Sequence, residues 1–133
     1  MNYLLDVNAL IAWAWTDHPH HLRVDRWMAK VLSKVNGSIV TTAIVQLGFV
    51  RVSVQRNPQT TTIAMATTRL TELVGFLAAH HRFLPDDIES FGFPDWCLKP
   101  SSTTNAHLLA LAQKHQLQLA TLDTGIPGAF LIP

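Results

Sequence analysis

A chain of 133 residues has the size of a single domain with enough length to bury a real core. It is 48% hydrophobic and only 14% charged, which points to a buried sheet or to a surface covered by a partner. With 10 Lys plus Arg against 9 Asp plus Glu the net charge is +1, so no global basic field marks a nucleic-acid binder, and any RNA contact has to come from a local patch. Cys97 is the single cysteine, which excludes an internal disulfide and reads as an inert thiol in a reducing compartment. The N-terminus shows no basic leader, and no apolar run approaches the ~20 residues of a membrane span. The expectation is a soluble, cytoplasmic protein with no membrane partner.

The apolar run Tyr3, Leu4, Leu5 reads as a buried strand that ends in Asp6, and a helical pattern follows at once through Val7, Leu10, Ile11, Ala14 and Trp15. A charge at the end of a buried strand needs a cation or several donors. In open parallel sheets such a carboxylate faces the crevice where ligands bind. Asp6 or Asn8 also reads as a plain N-cap for that helix.

Next, Asp17-His18-Pro19-His20-His21 makes a turn and opens a second helix to about residue 33, with Leu22, Trp27, Val31 and Leu32 on its apolar side. These histidines lack a second cluster with ligand spacing, so they read as a His-rich helix start rather than a metal site. Asn36-Gly37 is a turn, and Ser38-Ile39-Val40-Thr41 a short buried strand. Thr41 or Thr42 caps a third helix over residues 43 to about 55, with Ile44, Leu47, Val50 and Val54 on one face and Gln46 and Arg51 along it. A long helix from about residue 60 to 79 follows, ragged at its threonine-rich start and closed by His80-His81-Arg82 at the negative end of its dipole.

Phe83-Leu84-Pro85 reads as a third strand, and residues 86–101 as an irregular loop. Thr103-Thr104 caps an amphipathic helix from Asn105 to about His115. Gln118-Leu119-Ala120-Thr121 is a fourth strand leading to Leu122-Asp123, and Ala129 to Ile132 a final one. The expected fold is α/β: a three-layer sandwich with a mainly parallel central sheet of four to five strands flanked by helices, and residues 1–133 form one domain.

Two of these strands end in acid, at Asp6 and at Asp123. In a parallel sheet both lie at one edge, where they repel unless a cation sits between them. Two helices begin at that edge and bring in Gln46 and Asn105. Four oxygen-bearing side chains suit a hard, octahedral ion, Mg²⁺ or Mn²⁺, and such an ion neutralises charge developing on a phosphodiester. Each residue also has a plainer reading: Asp123 as a turn residue before Gly125 and Pro127, Asn105 as a capping amide, Gln46 as a surface amide.

The pattern resembles the PIN-domain family, and within it the VapC-type toxins of bacterial toxin–antitoxin pairs. It rests on Leu4-Leu5-Asp6-Val7-Asn8-Ala9-Leu10, Trp15 with Asp17-His18-Pro19-His20, Gln46-Leu47-Gly48-Phe49-Val50-Arg51, Asn105-Ala106-His107-Leu108-Leu109-Ala110-Leu111-Ala112, and Leu119-Ala120-Thr121-Leu122-Asp123. The resemblance implies a PIN-like fold, Mg²⁺-assisted hydrolysis of RNA, growth inhibition, a cognate antitoxin that blocks the site, and a homodimer. It also implies Asp6, Gln46, Asn105 and Asp123 as the catalytic set, Asp6, Asp123 and Asn105 as metal ligands, and Asn8 and Thr121 as supporting hydrogen-bonding groups.

Two positions depart from the family pattern, which has Glu where this chain has Gln46 and Asp where it has Asn105. An amide oxygen ligates a hard cation weakly and cannot act as a base, so metal affinity and activity are expected to fall. Two readings follow: a weakened Mg²⁺- or Mn²⁺-dependent endoribonuclease toxin, with Asn105 ligating the ion or positioning water and Gln46 orienting water or RNA, or a binding module that engages an antitoxin or RNA without cleaving. Trp13, Trp27, Phe91 and Trp96 are candidate partner contacts in the second reading, although core packing accounts for most of them. A DNA nuclease ranks below both.

Overall fold

The computed structural model describes residues 1–133. Its strands are β1 (Asn2–Leu5), β2 (Ser38–Thr41), β3 (His81–Phe83), β4 (Gln118–Thr121) and β5 (Phe130–Leu131), and its helices α1 (Val7–Ala14), α2 (His21–Leu32), α3 (Ala43–Arg56), α4 (Ile63–Leu77) and α5 (Thr103–Lys114). All strand pairs are parallel, in the order β3-β2-β1-β4-β5. β1 is central, and Leu4 and Leu5, which face opposite sides of the sheet, are both fully buried. Helices therefore cover both faces, as a parallel sheet requires. The chain starts in the middle, builds outward through β2 and β3, then returns to build β4 and β5 on the other flank. That reversal places a crevice between the carboxyl ends of β1 and β4.

Several expectations are corrected. In α3 the buried residues are Val45, Gly48, Phe49 and Ser53, while Leu47 is 70% exposed. The helix is rotated because Gly48 lies against Val7 of α1 so closely that a Cβ there would sit 2.6 Å from a Val7 methyl. Leu22 is likewise exposed on α2, and Ile63 on α4. α4 ends at Leu77, because Ala78 turns with φ 49°. His81 and Arg82 do not close the helix but form β3 on the free edge of β2, with Ile39 opposite His81 and Thr41 opposite Phe83. The third strand thus lies two residues earlier than 83–85. α5 begins at Thr103 after a 3-10 turn over Pro100–Ser102, so Asn105 sits inside its first turn rather than following a threonine cap. Trp13 and Trp27 are core residues, whereas Phe91 is exposed. No helix is long and apolar enough to cross a membrane.

Candidate active site

Asp6 serves two structural purposes at once. It is the N-cap of α1, where its Oδ1 accepts the Ala9 N–H at 2.8 Å. Its Oδ2 accepts the Thr121 hydroxyl at 2.5 Å. The residue is 1% exposed, and burial pushes its carboxyl up to about 6 from the ordinary 3.8; the two hydrogen bonds oppose the rise and the Asp123 charge adds to it. A cation beside it would favour the ionised carboxylate and bring that value back down.

Thr121, at the end of β4 and fully buried, joins the two acids: its Oγ1 accepts the Asp123 N–H at 3.0 Å while donating to Asp6. Asp123 itself is exposed, and its Oδ1 accepts the Gly125 N–H at 2.8 Å. The turn reading of Asp123 is therefore realised, at the carboxyl end of β4. Asn8 lies in the first turn of α1 with its side chain exposed, beside the acids in sequence but outside this hydrogen-bond set.

Gln46 and Asn105 stand in the first turns of α3 and α5, both half-buried. Neither hydrogen-bonds to Asp6 or Asp123. The Gln46 Nε2 donates instead to Thr41 Oγ1 at 3.2 Å, and the Thr41 hydroxyl lies 2.7 Å from His81 Nε2. Burial holds the His81 imidazole below its ordinary range. No group of three or more His, Cys, Asp or Glu side chains is close enough together to hold a metal. The donors that could hold one are the Asp6 and Asp123 carboxylates with the Asn105 amide oxygen, an all-oxygen set suited to one hard cation.

The sequence reading missed a polar strap beside this edge. His107, two residues beyond Asn105, makes contacts at both ring nitrogens: Nε2–H donates to Asp86 Oδ2 at 2.5 Å, and Nδ1 meets the Ser90 hydroxyl. One helical face further on, His115 Nε2 binds Asp87 Oδ1 at 2.9 Å, with Lys114 Nζ 3.3 Å from the same carboxylate. The His115 hydrogen bond, helped by Lys114, holds the Asp87 carboxyl below its usual range. The Asp86-Asp87 doublet and the spacing of His107 and His115 were the available signals, but nothing local showed that they meet.

Comparison with known proteins supplies further findings. The PIN-domain family model matches residues 3–129. The chain is 37% identical over 132 residues to ribonuclease VapC39 of Mycobacterium tuberculosis, covering 95% of this chain and 91% of that protein. It is 36% identical over 127 residues to ribonuclease VapC38 of the same organism, covering 92% and 86%. Among solved structures it resembles M. tuberculosis VapC20, a sarcin–ricin loop cleaving toxin, with a TM-score of 0.68 at 14% identity over 98% of this chain and 99% of that one. FitAB bound to a DNA fragment superposes with a TM-score of 0.62 at 22% identity over 92% and 86%. At those identities the two structures speak for the fold alone.

Proposed function

The chain belongs to the PIN-domain family and, within it, to the VapC-type ribonuclease toxins, and on that premise we propose that it hydrolyses RNA phosphodiesters with one Mg²⁺ or Mn²⁺ ion, at a rate weakened by its two amides. The observation that carries this reading is the Asp6–Thr121–Asp123 set: one hydroxyl at the sheet edge donates to the buried Asp6 carboxylate and accepts the backbone N–H of Asp123, whose own carboxylate is exposed. The bound ion would supply charge neutralisation at the scissile phosphate. Asp6 and Asp123 hold it, with Asn105 contributing an amide oxygen. Thr121 orients Asp6, and Asn8 faces the solvent side of the same edge. Gln46, turned toward Thr41, orients water or RNA rather than accepting a proton. RNA as substrate implies action in the cytoplasm, and a cognate antitoxin protein is the partner that would silence it.

A second reading is favoured by the Gln46–Thr41 hydrogen bond and by the lack of a third acidic, His or Cys side chain at the edge. In it the protein is a PIN-like module that binds antitoxin or RNA without cutting. The two separate in one experiment: RNA cleavage by the natural chain and by the Gln46→Glu/Asn105→Asp double variant, each in Mg²⁺, Mn²⁺ and chelator. Metal-dependent cleavage by both, with the double variant faster by about tenfold or more, supports the weakened enzyme; tenfold is roughly 1.4 kcal/mol of barrier. Cleavage by the double variant alone supports the module. Equal rates would remove the charge argument.

A further inference from the structure

α2 carries Arg23, Arg26 and Lys30, and Lys34 follows just past its end. The spacing of three and four residues sets Arg23, Arg26 and Lys30 on one helical face, about 5 Å apart along the axis, and Lys34, past the helix end, lines the same cleft as Lys30. They are 4 of the 10 Lys and Arg in a chain whose net charge is only +1. None of them is in an ion pair: the salt bridges of the protein involve Arg56, Lys114, His107 and His115. The acid on this helix, Asp25, lies on another side, lining a cleft with Trp13, His21 and Arg69.

The helix dipole does not explain the stripe. It favours Lys30 and Lys34 near the C-terminal end, but it opposes Arg23 and Arg26 in the first turns, where no acid compensates them. The cations also line a furrow. One cleft is bordered by Arg23, Arg26, Trp27 and Lys30, and a second by Trp27, Lys30 and Lys34, so the two adjoin along the helix.

The upper end of the furrow is tied to the catalytic edge. Arg23 Nε donates to the Ile132 carbonyl at 2.9 Å, the Ile132 N–H donates to the Thr121 carbonyl at 2.9 Å, and the Thr121 hydroxyl reaches Asp6. The lower end, at Lys34, lies beside Met1 and Gly37, at the opposite edge of the sheet.

We infer that the Arg23–Arg26–Lys30–Lys34 furrow is the phosphate track along which the RNA strand leaves the catalytic edge. The assignment rests on the reading of RNA as substrate. A row of cations outside any ion pair, over a floor of Trp27, Tyr3 and Val31 that are each less than 8% exposed and with Met1 exposed only at the lower end, fits a repeating phosphodiester, whereas a folded acidic partner would call for exposed apolar contact along the whole row. Arg23, held by the Ile132 carbonyl, marks the entry; the three exposed cations beyond it provide sequence-independent affinity.

The test is the salt dependence of binding of a labelled single-stranded RNA of mixed sequence, in chelator so that nothing is cut. The variant is Arg26→Gln/Lys30→Gln/Lys34→Gln, three exposed positions that leave Arg23 and the fold contacts in place, with unchanged circular dichroism as the folding control. Expected is a decrease of about 2 in the slope of log affinity against log salt, at ~0.7 per single-strand phosphate, and affinity at low salt weaker by roughly tenfold. Arg82→Gln/Lys99→Gln, neutralising exposed cations elsewhere, is expected to leave the slope unchanged. An unchanged slope in the triple variant, or an equal loss per charge in the control, overturns the assignment. Lost binding of polyglutamate with an unchanged RNA slope also overturns it, by giving the furrow to an acidic polypeptide. If the slope falls as expected but the natural chain cuts no RNA in metal, the track stands and the cleavage reading fails.

Discussion

At the scale of single residues, Asp6 is where burial and ionisation conflict. A rise from 3.8 to about 6 costs the folded state roughly 3 kcal/mol at neutral pH, burial of the ionised carboxylate being the largest cause. Because the folded-state value lies above the unfolded one, that stability is present below about pH 4 and is lost as pH rises through 6. Asp6→Asn keeps the cap and removes the charge. Urea unfolding of both proteins from pH 4 to 8 should show the variant gaining up to about 3 kcal/mol on the natural chain as pH rises through 6, with little difference at pH 4. Adding Mg²⁺ at pH 7.5 should raise the melting temperature of the natural chain only, and the gain should shrink below pH 6 as protons compete for Asp6. A metal-induced shift of equal size in Asp6→Asn would place the ion elsewhere.

Among the elements, the contact of α1 with α3 sets how Gln46 is presented. Gly48 is where the two helices touch, and the buried stripe of α3 follows from that touch rather than from its apolar residues. Gly48→Ala should destabilise by about 1–3 kcal/mol through overpacking, although alanine is the better helix former. Adding Val7→Ala should recover part of the loss, a coupling that a double-mutant cycle on urea midpoints would measure. Additive effects would mean the helices do not meet there. The Asp86–His107–Ser90 and Asp87–His115 contacts act at the same scale, fastening the loop after β3 to α5, the first near Asn105 and the second at the C-terminal end of the helix. Being mostly exposed, such pairs hold position more than they add stability.

For the whole molecule, composition pointed to a buried sheet or a covered surface, and the structure locates two large exposed apolar side chains on one face of α4: Met65 at 49% and Phe76 at 70%. The homodimer implied by family resemblance would bury this face. Light scattering on the eluting protein at micromolar concentration should give two chains per particle, and Phe76→Asp should give one. A natural chain that elutes as a clean monomer would remove the homodimer and leave the face to the antitoxin.

Much of the fold was legible in the residues. β1, α1, β2 and β4 stand where apolar runs and turn signals placed them, because each carries its own periodicity and its own stop. Asp6 and Asp123 were legible for the same reason: an acid directly after a buried run is a local fact. The tertiary structure decided the rest. β3 is three residues of His-Arg-Phe that become a strand because the free edge of β2 offers them a ladder. The rotation of α3 depends on a missing Cβ at Gly48, and the direction of Gln46 on Thr41 and His81, which β2 and β3 bring beneath it. The strap across α5 joins residues 17 to 28 apart in sequence. Sequence determines what each segment prefers by itself, through burial and backbone preference; which polar groups find one another is decided by the packing of segments.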